Sequence, residues 1–209
     1  MLNLLYFDMK KMIIALIALF VIVVVFQSFM VTSTNNTEKQ AYKVIKKEDE
    51  FEIRYYPPAT FATIQSTAKN YRELSGSGFR KIAGYIFGNN ESSSKIAMTT
   101  PVHMDINNEG SSMSFVMPSA YDINNLPRPN DANVKLHQTP GEYVAAIAFG
   151  GFANDASIKK YAAELEKGLG NKGIKSIGHF RYLGYNPPYQ LVGRKNEIIV
   201  TVEWKDDQQ

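Results

Sequence analysis

Phe79-Arg80-Lys81-Ile82-Ala83-Gly84-Tyr85-Ile86-Phe87-Gly88, followed by Lys95-Ile96-Ala97-Met98-Thr99-Thr100-Pro101-Val102, reads as a helix that runs into a strand. Phe79, Ile82, Ala83, Ile86 and Phe87 recur at the i, i+3, i+4, i+7, i+8 spacing of one helical face. Ser75 or Ser77 is available as the N-cap and Gly88 as the stop. Strands are expected over 95–106 and 112–117, joined by the turn residues Asn107-Asn108-Glu109-Gly110. Upstream, strands over 42–47 and 51–56 flank the charged turn Lys46-Lys47-Glu48-Asp49-Glu50. Pro57-Pro58 breaks the second, and a β segment resumes over 60–67.

The same order returns in the second half. Strands are expected over 134–137 and 143–149 around Thr139-Pro140-Gly141, then a helix over 155–169 capped by Asn154, then strands over 179–185 and 197–204. At a constant offset Pro58 falls on Pro140, Phe61 on Tyr143 and Ala62 on Val144. The expectation is an α+β domain of two β-β-α-β-β pseudo-repeats, forming a distorted antiparallel β-barrel or curved sheet flanked by two α-helices. Joining the halves would remove exposed edges and leave a groove. The Pro-rich stretch from Met117 to Pro129 would cross the surface between them.

The chain divides before this domain. Met12 to Phe26 contains no polar residue, and the apolar run resumes after Gln27-Ser28 through Val31. Residues 12–31 as a helix would measure about 30 Å, the thickness of a bilayer core. Lys10-Lys11 before the run and Thr32-Ser33-Thr34-Asn35-Asn36-Thr37 after it place residues 1–11 in the cytoplasm and the domain outside. Residues 12–31 are thus a single-pass transmembrane signal anchor, or a signal peptide cleaved after Ser33, in which case the domain is secreted. Residues 32–41 read as a linker, 42–204 as the domain and 205–209 as a tail.

Composition narrows the chemistry. The chain has no cysteine, which excludes disulfides, Cys-ligated metals and thiolate nucleophiles. Its net charge of +3 is spread along the sequence, with no basic footprint for nucleic acid. Twelve Tyr and twelve Phe indicate a well-filled interior rather than disorder. His103, His137 and His179 lack the close spacing of a zinc site, so no metal ligand is assigned. No catalytic residue is assigned either. Glu142 or Glu197 would serve as base if the domain were a small-molecule hydrolase, and a protein-interaction module at the membrane is the other alternative.

The helix–strand stretch, extended through Asn89-Asn90, resembles the central signature of the SOUL haem-binding protein family. Phe115-Val116-Met117-Pro118-Ser119, Phe149-Gly150-Gly151-Phe152-Ala153, Gly184-Tyr185-Asn186-Pro187-Pro188 and Gly193-Arg194-Lys195-Asn196-Glu197 agree with it in order across residues 42–204. The resemblance implies a distorted barrel with a twofold repeat, similar to gyrase-inhibitor-like domains. It also implies a non-catalytic protein that binds haem or another porphyrin, a tetrapyrrole or similar flat apolar molecule, reversibly and non-covalently. The implied cofactor-binding residues are Phe79, Arg80, Ala83, Ile86 and Phe87 on the helix and Tyr189, Gln190 and Leu191 on the loop before the last strand. Where relatives carry basic residues this chain has Gly84 and Gln190, so Arg72, Arg80, Arg181 or Arg194 would meet the propionates.

Overall fold

The computed structural model describes residues 2–107 and 110–205, with side chains from Met9 onward. Asn108-Glu109 of the expected turn and residues 206–209 of the tail lie outside the described residues. Helix α1 (Leu2–Asn36) comes first, followed by strands β1 (Glu38–Lys39), β2 (Lys43–Lys47), β3 (Glu52–Tyr56) and β4 (Ala59–Ser66), then helix α2 (Tyr71–Ile86). Strands β5 (Thr99–Thr100), β6 (Val102–Asn107), β7 (Gly110–Val116), β8 (Val134–Thr139) and β9 (Glu142–Gly150) lead to helix α3 (Asp155–Asn171) and strands β10 (Ser176–Gly184) and β11 (Lys195–Val202).

Nine strands form one antiparallel sheet in the order β2-β3-β9-β11-β10-β6-β7-β4-β8, and β1 pairs separately with β5 in parallel. The sheet is open, which corrects the barrel expectation and the expectation that edges disappear. Its edge strands β2 and β8 are not neighbours. Both carry exposed polar side chains, Lys43, Lys46 and Lys47 on one and Lys135, His137 and Gln138 on the other, a composition that protects an unpaired edge.

Both domain helices cover one face, where Ile53, Ile64, Leu74, Ile82, Ile86, Met113, Phe115, Ile147, Leu165, Ile198 and Val200 make the main core. Because side chains alternate along a strand, the neighbouring positions build a smaller cluster on the other face, from Tyr56, Val144, Ala146, Leu183, Tyr185 and Ile199.

Most boundaries move by one to three residues, and three differences from the sequence expectation have a local cause. Helix α2 starts at Tyr71: Asn70 caps it by accepting from Glu73 N at 3.0 Å, while Glu73 Oε2 accepts from Lys69 N at 3.0 Å. Of the strand expected over 95–106, residues 95–98 are irregular and Thr99–Thr100 pair only with β1; Pro101, which has no N–H for the ladder, separates them from β6 in the main sheet. Residues 32–36, expected in a linker, continue α1, with Thr32 Oγ1 donating to the Ser28 carbonyl at 3.0 Å. Helix α3 has the expected Asn154 cap, completed as a capping box by Ser157.

Candidate functional site

Three of the sequence blocks meet at one end of the sheet. Asn196 is buried; its Oδ1 accepts from Tyr182 Oη at 2.7 Å and its Nδ2 donates to the Gly151 carbonyl at 2.9 Å, tying the last strand to the Gly150-Gly151-Phe152 block. Asn186 Oδ1 accepts from Lys195 N at 2.6 Å, and Arg194 Nη1 donates to the carbonyls of Pro187 and Gln190 at 2.7 Å each. These bonds tie the loop over 185–194 to itself and to the start of β11. Val102 opens β6 opposite Gly184 at the end of β10, so the segment from Phe87 to Pro101 reaches the same end of the sheet.

The first block organises the chain after α2. Asn90 Nδ2 donates to the carbonyls of Tyr85 and Ser94 at 2.9 and 2.8 Å, and Tyr85 Oη donates to the Pro127 carbonyl at 2.9 Å. Burial pushes the Tyr85 phenol up to about 12. Gly88 lies at φ +114°, a left-handed conformation that ends the helix at little cost for glycine.

The eight expected binding residues separate into two environments. Ile86 is 1% exposed, Ala83 is buried, and Phe79 is half-buried with its ring 5.4 Å from Phe115, so these three line the domain interior. Phe87 and Arg80 are exposed. Between them on the solvent side lies Gly84, where an added Cβ would meet nothing within 4 Å. On the loop, Tyr189 and Leu191 are exposed while Gln190 is buried, accepting from Thr34 Oγ1 at 2.8 Å and donating to the Val192 carbonyl at 2.9 Å. Among the described residues no hydrogen bond, ion pair or ring contact joins the helix set to the loop set.

Of the four arginines considered for propionates, Arg181 grips Glu142 at 2.9 and 2.7 Å, and Arg194 is occupied by loop carbonyls. Arg72 and Arg80 are exposed on α2 and carry no ion pair among the described residues.

The face opposite the helices holds a network that sequence reasoning missed. Arg54 binds both oxygens of Glu197, at 2.9 and 3.0 Å, and Tyr185 Oη donates to Glu197 Oε2 at 2.6 Å. Burial alone would raise the Glu197 carboxyl, but hydrogen bonding and charge from Arg54, with Tyr185 and Lys195, hold it below its ordinary value. Burial raises Tyr56 to about 12. An Arg flanked by Ile53 and Tyr55 in a strand was the available signal. Both carboxylates considered as bases are thus held by arginine forks, and Glu142 also accepts from Thr201 Oγ1 at 2.8 Å. His103 lies on this face, 2.7 Å from Gln40 Oε1 through Nε2, and its burial pushes it down to about 3. Among the described residues no group of His, Asp and Glu is placed to hold a metal ion.

Comparison with known proteins agrees with this architecture. Residues 37–201 match the family model described as SOUL heme-binding protein. Heme-binding protein 1 of Sus scrofa is 28% identical over 176 residues, covering 78% of this chain and 92% of the relative. Heme-binding protein 1 of Mus musculus is 30% identical over 161 residues, covering 73% and 84%. The crystal structure of the EcmrR C-terminal domain superposes with a TM-score of 0.58 at 11% identity over 78% of this chain and 99% of that one, a likeness of fold alone. With collinear blocks, their convergence in space and a match across nearly all of the domain, the chain belongs to the SOUL heme-binding protein family.

Proposed function

We propose that the domain binds haem or a related porphyrin reversibly and without catalysis, against the solvent side of α2. The observation that carries this reading is the strip formed by exposed Arg80 and Phe87 with half-buried Gly84 between them. It offers an aromatic side chain, a flat stretch of backbone and a cation to a planar molecule with apolar faces and carboxylates. Ala83 and Ile86 support the strip from beneath, and the 189–191 loop belongs to the same end of the sheet. Family membership and the names of the relatives favour a tetrapyrrole over other flat ligands. The hydrolase alternative is disfavoured because Glu142 and Glu197 are both committed to arginine. Titrating the full chain in lipid nanodiscs with hemin, against empty nanodiscs, and following the Soret band tests the proposal; a spectrum equal to that of hemin with empty nanodiscs at all ratios overturns it.

The reading extends to the anchor and the repeat. α1 is long and apolar enough to cross a membrane, and it exposes Ile14, Phe20, Ile22 and Val25. That supports residues 12–31 as the span, with the domain outside the cytoplasm, or released if the segment is cleaved. In the sheet, β4, α2, β6, β7 and β9, α3, β10, β11 follow one order and meet where β6 pairs with β10, which supports two related halves.

A further inference from the structure

The loop between β10 and β11 runs beside α1 instead of projecting into solvent. Leu191 N donates to Gln27 Oε1 at 2.8 Å, and Gln27 Nε2 donates to the Tyr189 carbonyl at 3.1 Å. Two turns along the helix, Thr34 holds Gln190. On the other side Arg194 bonds the loop carbonyls and lies 4.4 Å over the Phe152 ring. With its polar groups turned inward, the loop turns apolar side chains outward. Tyr189 is 57% exposed, and Leu191, Val192 and Phe152 are each 55% exposed. Three large apolar side chains on a loop that Arg194 pins, with Phe152 under that same arginine, are a surface that water alone covers poorly.

The height of the loop along α1 identifies what covers it. At about 1.5 Å per residue, Gln27 lies about 6 Å back from Val31 toward the middle of the apolar segment. If residues 12–31 match the bilayer core, the amide of Leu191 is held within the edge of that core. An aqueous position for the loop tip would require the span to end before Gln27. The side chains are those that suit such a level: a tyrosine with an apolar ring and polar tip, two aliphatics and a phenylalanine. Gln27, polar in an apolar helix, has both ends of its amide satisfied by the loop backbone.

We propose that this loop and Phe152 form a lipid-seated tip. Tyr189, Leu191, Val192 and Phe152 enter the interface of the leaflet on the domain's side, next to α1. The seating fixes the orientation of the domain on the membrane and places the 189–191 loop where an apolar ligand dissolved in lipid would reach it. The inference rests on residues 12–31 being the span.

The absence of cysteine allows a clean test with the full chain. Leu191→Cys and Phe152→Cys, each labelled with an environment-sensitive fluorophore, are reconstituted in phosphatidylcholine vesicles containing a lipid nitroxide-labelled near the headgroup. Asn171→Cys, exposed at the far end of α3, is the reference. Blue-shifted emission with roughly twofold or greater quenching at 191 and 152, and none at 171, is expected. If the chain floats with the vesicles while both labels emit as in water, the lipid-seated tip is overturned and the span stands. Failure of the chain to float overturns both.

Discussion

Arg54 and Glu197, 143 residues apart in the chain, meet as a two-pronged ion pair on the face of the sheet away from the helices. The Arg54 guanidinium also lies 4.3 Å over the Tyr42 ring and bonds Glu52 Oε2 at 2.9 Å, so each of its three nitrogens and one face are engaged. Strands β3 and β11 are separated in the sheet by β9, and the pair bridges over that strand. It is a cross-brace between the edge of the domain and its centre.

Replacing one partner alone should be far more damaging than replacing both. Arg54→Met leaves the buried Glu197 carboxylate with Tyr185 and the single Lys195 ion pair at 2.9 Å, and should destabilise the fold by about 3 kcal/mol, the low end for a broken buried pair, whereas Arg54→Met combined with Glu197→Leu should recover most of that loss. Urea unfolding of the full chain in detergent measures both. Because the folded Glu197 carboxyl is depressed, its contribution is present above the ordinary carboxylate value and disappears as pH falls through the folded value. An acid limb present in the parent and weakened in the double variant is the expected pattern.

His103 should make stability fall on mild acidification. Its value is about 3 in the folded protein against about 6.5 unfolded. Between these limits the unfolded chain binds a proton that the native state refuses, so unfolding free energy declines as pH is lowered from about 6.5. From pH 7.5 to 5 the loss is about 2 kcal/mol. In His103→Gln the same titration should be flatter by about that amount, read from urea midpoints at the two pH values.

The legible parts of the fold were those set by local chemistry. The Asn154 cap of α3 could be read because a short polar residue stands just before an apolar 3.6-residue period. The start of α2 could not, since Ser75 and Ser77 stand as caps just before the apolar period and Gly76-Ser77-Gly78 reads as the opening of the helix. The helix runs through it because Gly78 faces the core, where a Cβ would lie 3.2 Å from Ile64 Cδ1 and from Met113 Cε. Edge pairing depends on which distant strands meet, so the open sheet was invisible to periodicity, as was the pairing of Arg54 with Glu197. The candidate site was half legible for a related reason. Periodicity assigns Phe87 to the same stripe as Ile82 and Ile86, but α2 ends at Ile86 and Phe87 is its C-cap, so its side chain leaves the stripe for solvent.

Gln27 holds the 185–194 loop, and its loss should appear locally. In Gln27→Leu the Leu191 amide and the Tyr189 carbonyl lose their partner on α1, while the Arg194 and Asn186 bonds remain. Hydrogen exchange of the Leu191 amide should accelerate about tenfold, corresponding to a net hydrogen bond of about 1.4 kcal/mol. Exchange of the β11 amides should not change. Unchanged exchange at Leu191 would mean that Thr34, Arg194 and Asn186 hold the loop without Gln27.

The two sides of α2 predict opposite behaviour in a pair of measurements, hemin affinity and melting temperature. Arg80→Glu and Phe87→Ala alter exposed side chains, so stability should change by no more than about 0.5 kcal/mol. If the strip contacts ligand, each should weaken hemin binding about tenfold or more, Arg80→Glu by setting a carboxylate against a propionate and Phe87→Ala by removing an aromatic face. Ile86→Ala removes a fully buried side chain and should cost about 2–5 kcal/mol. Ala83→Glu forces a carboxylate into a site that is 7% exposed, and it should lower the melting temperature before it lowers affinity. Arg80→Glu and Phe87→Ala proteins that bind hemin as the parent does, with an unchanged melting temperature, would remove α2 from the site.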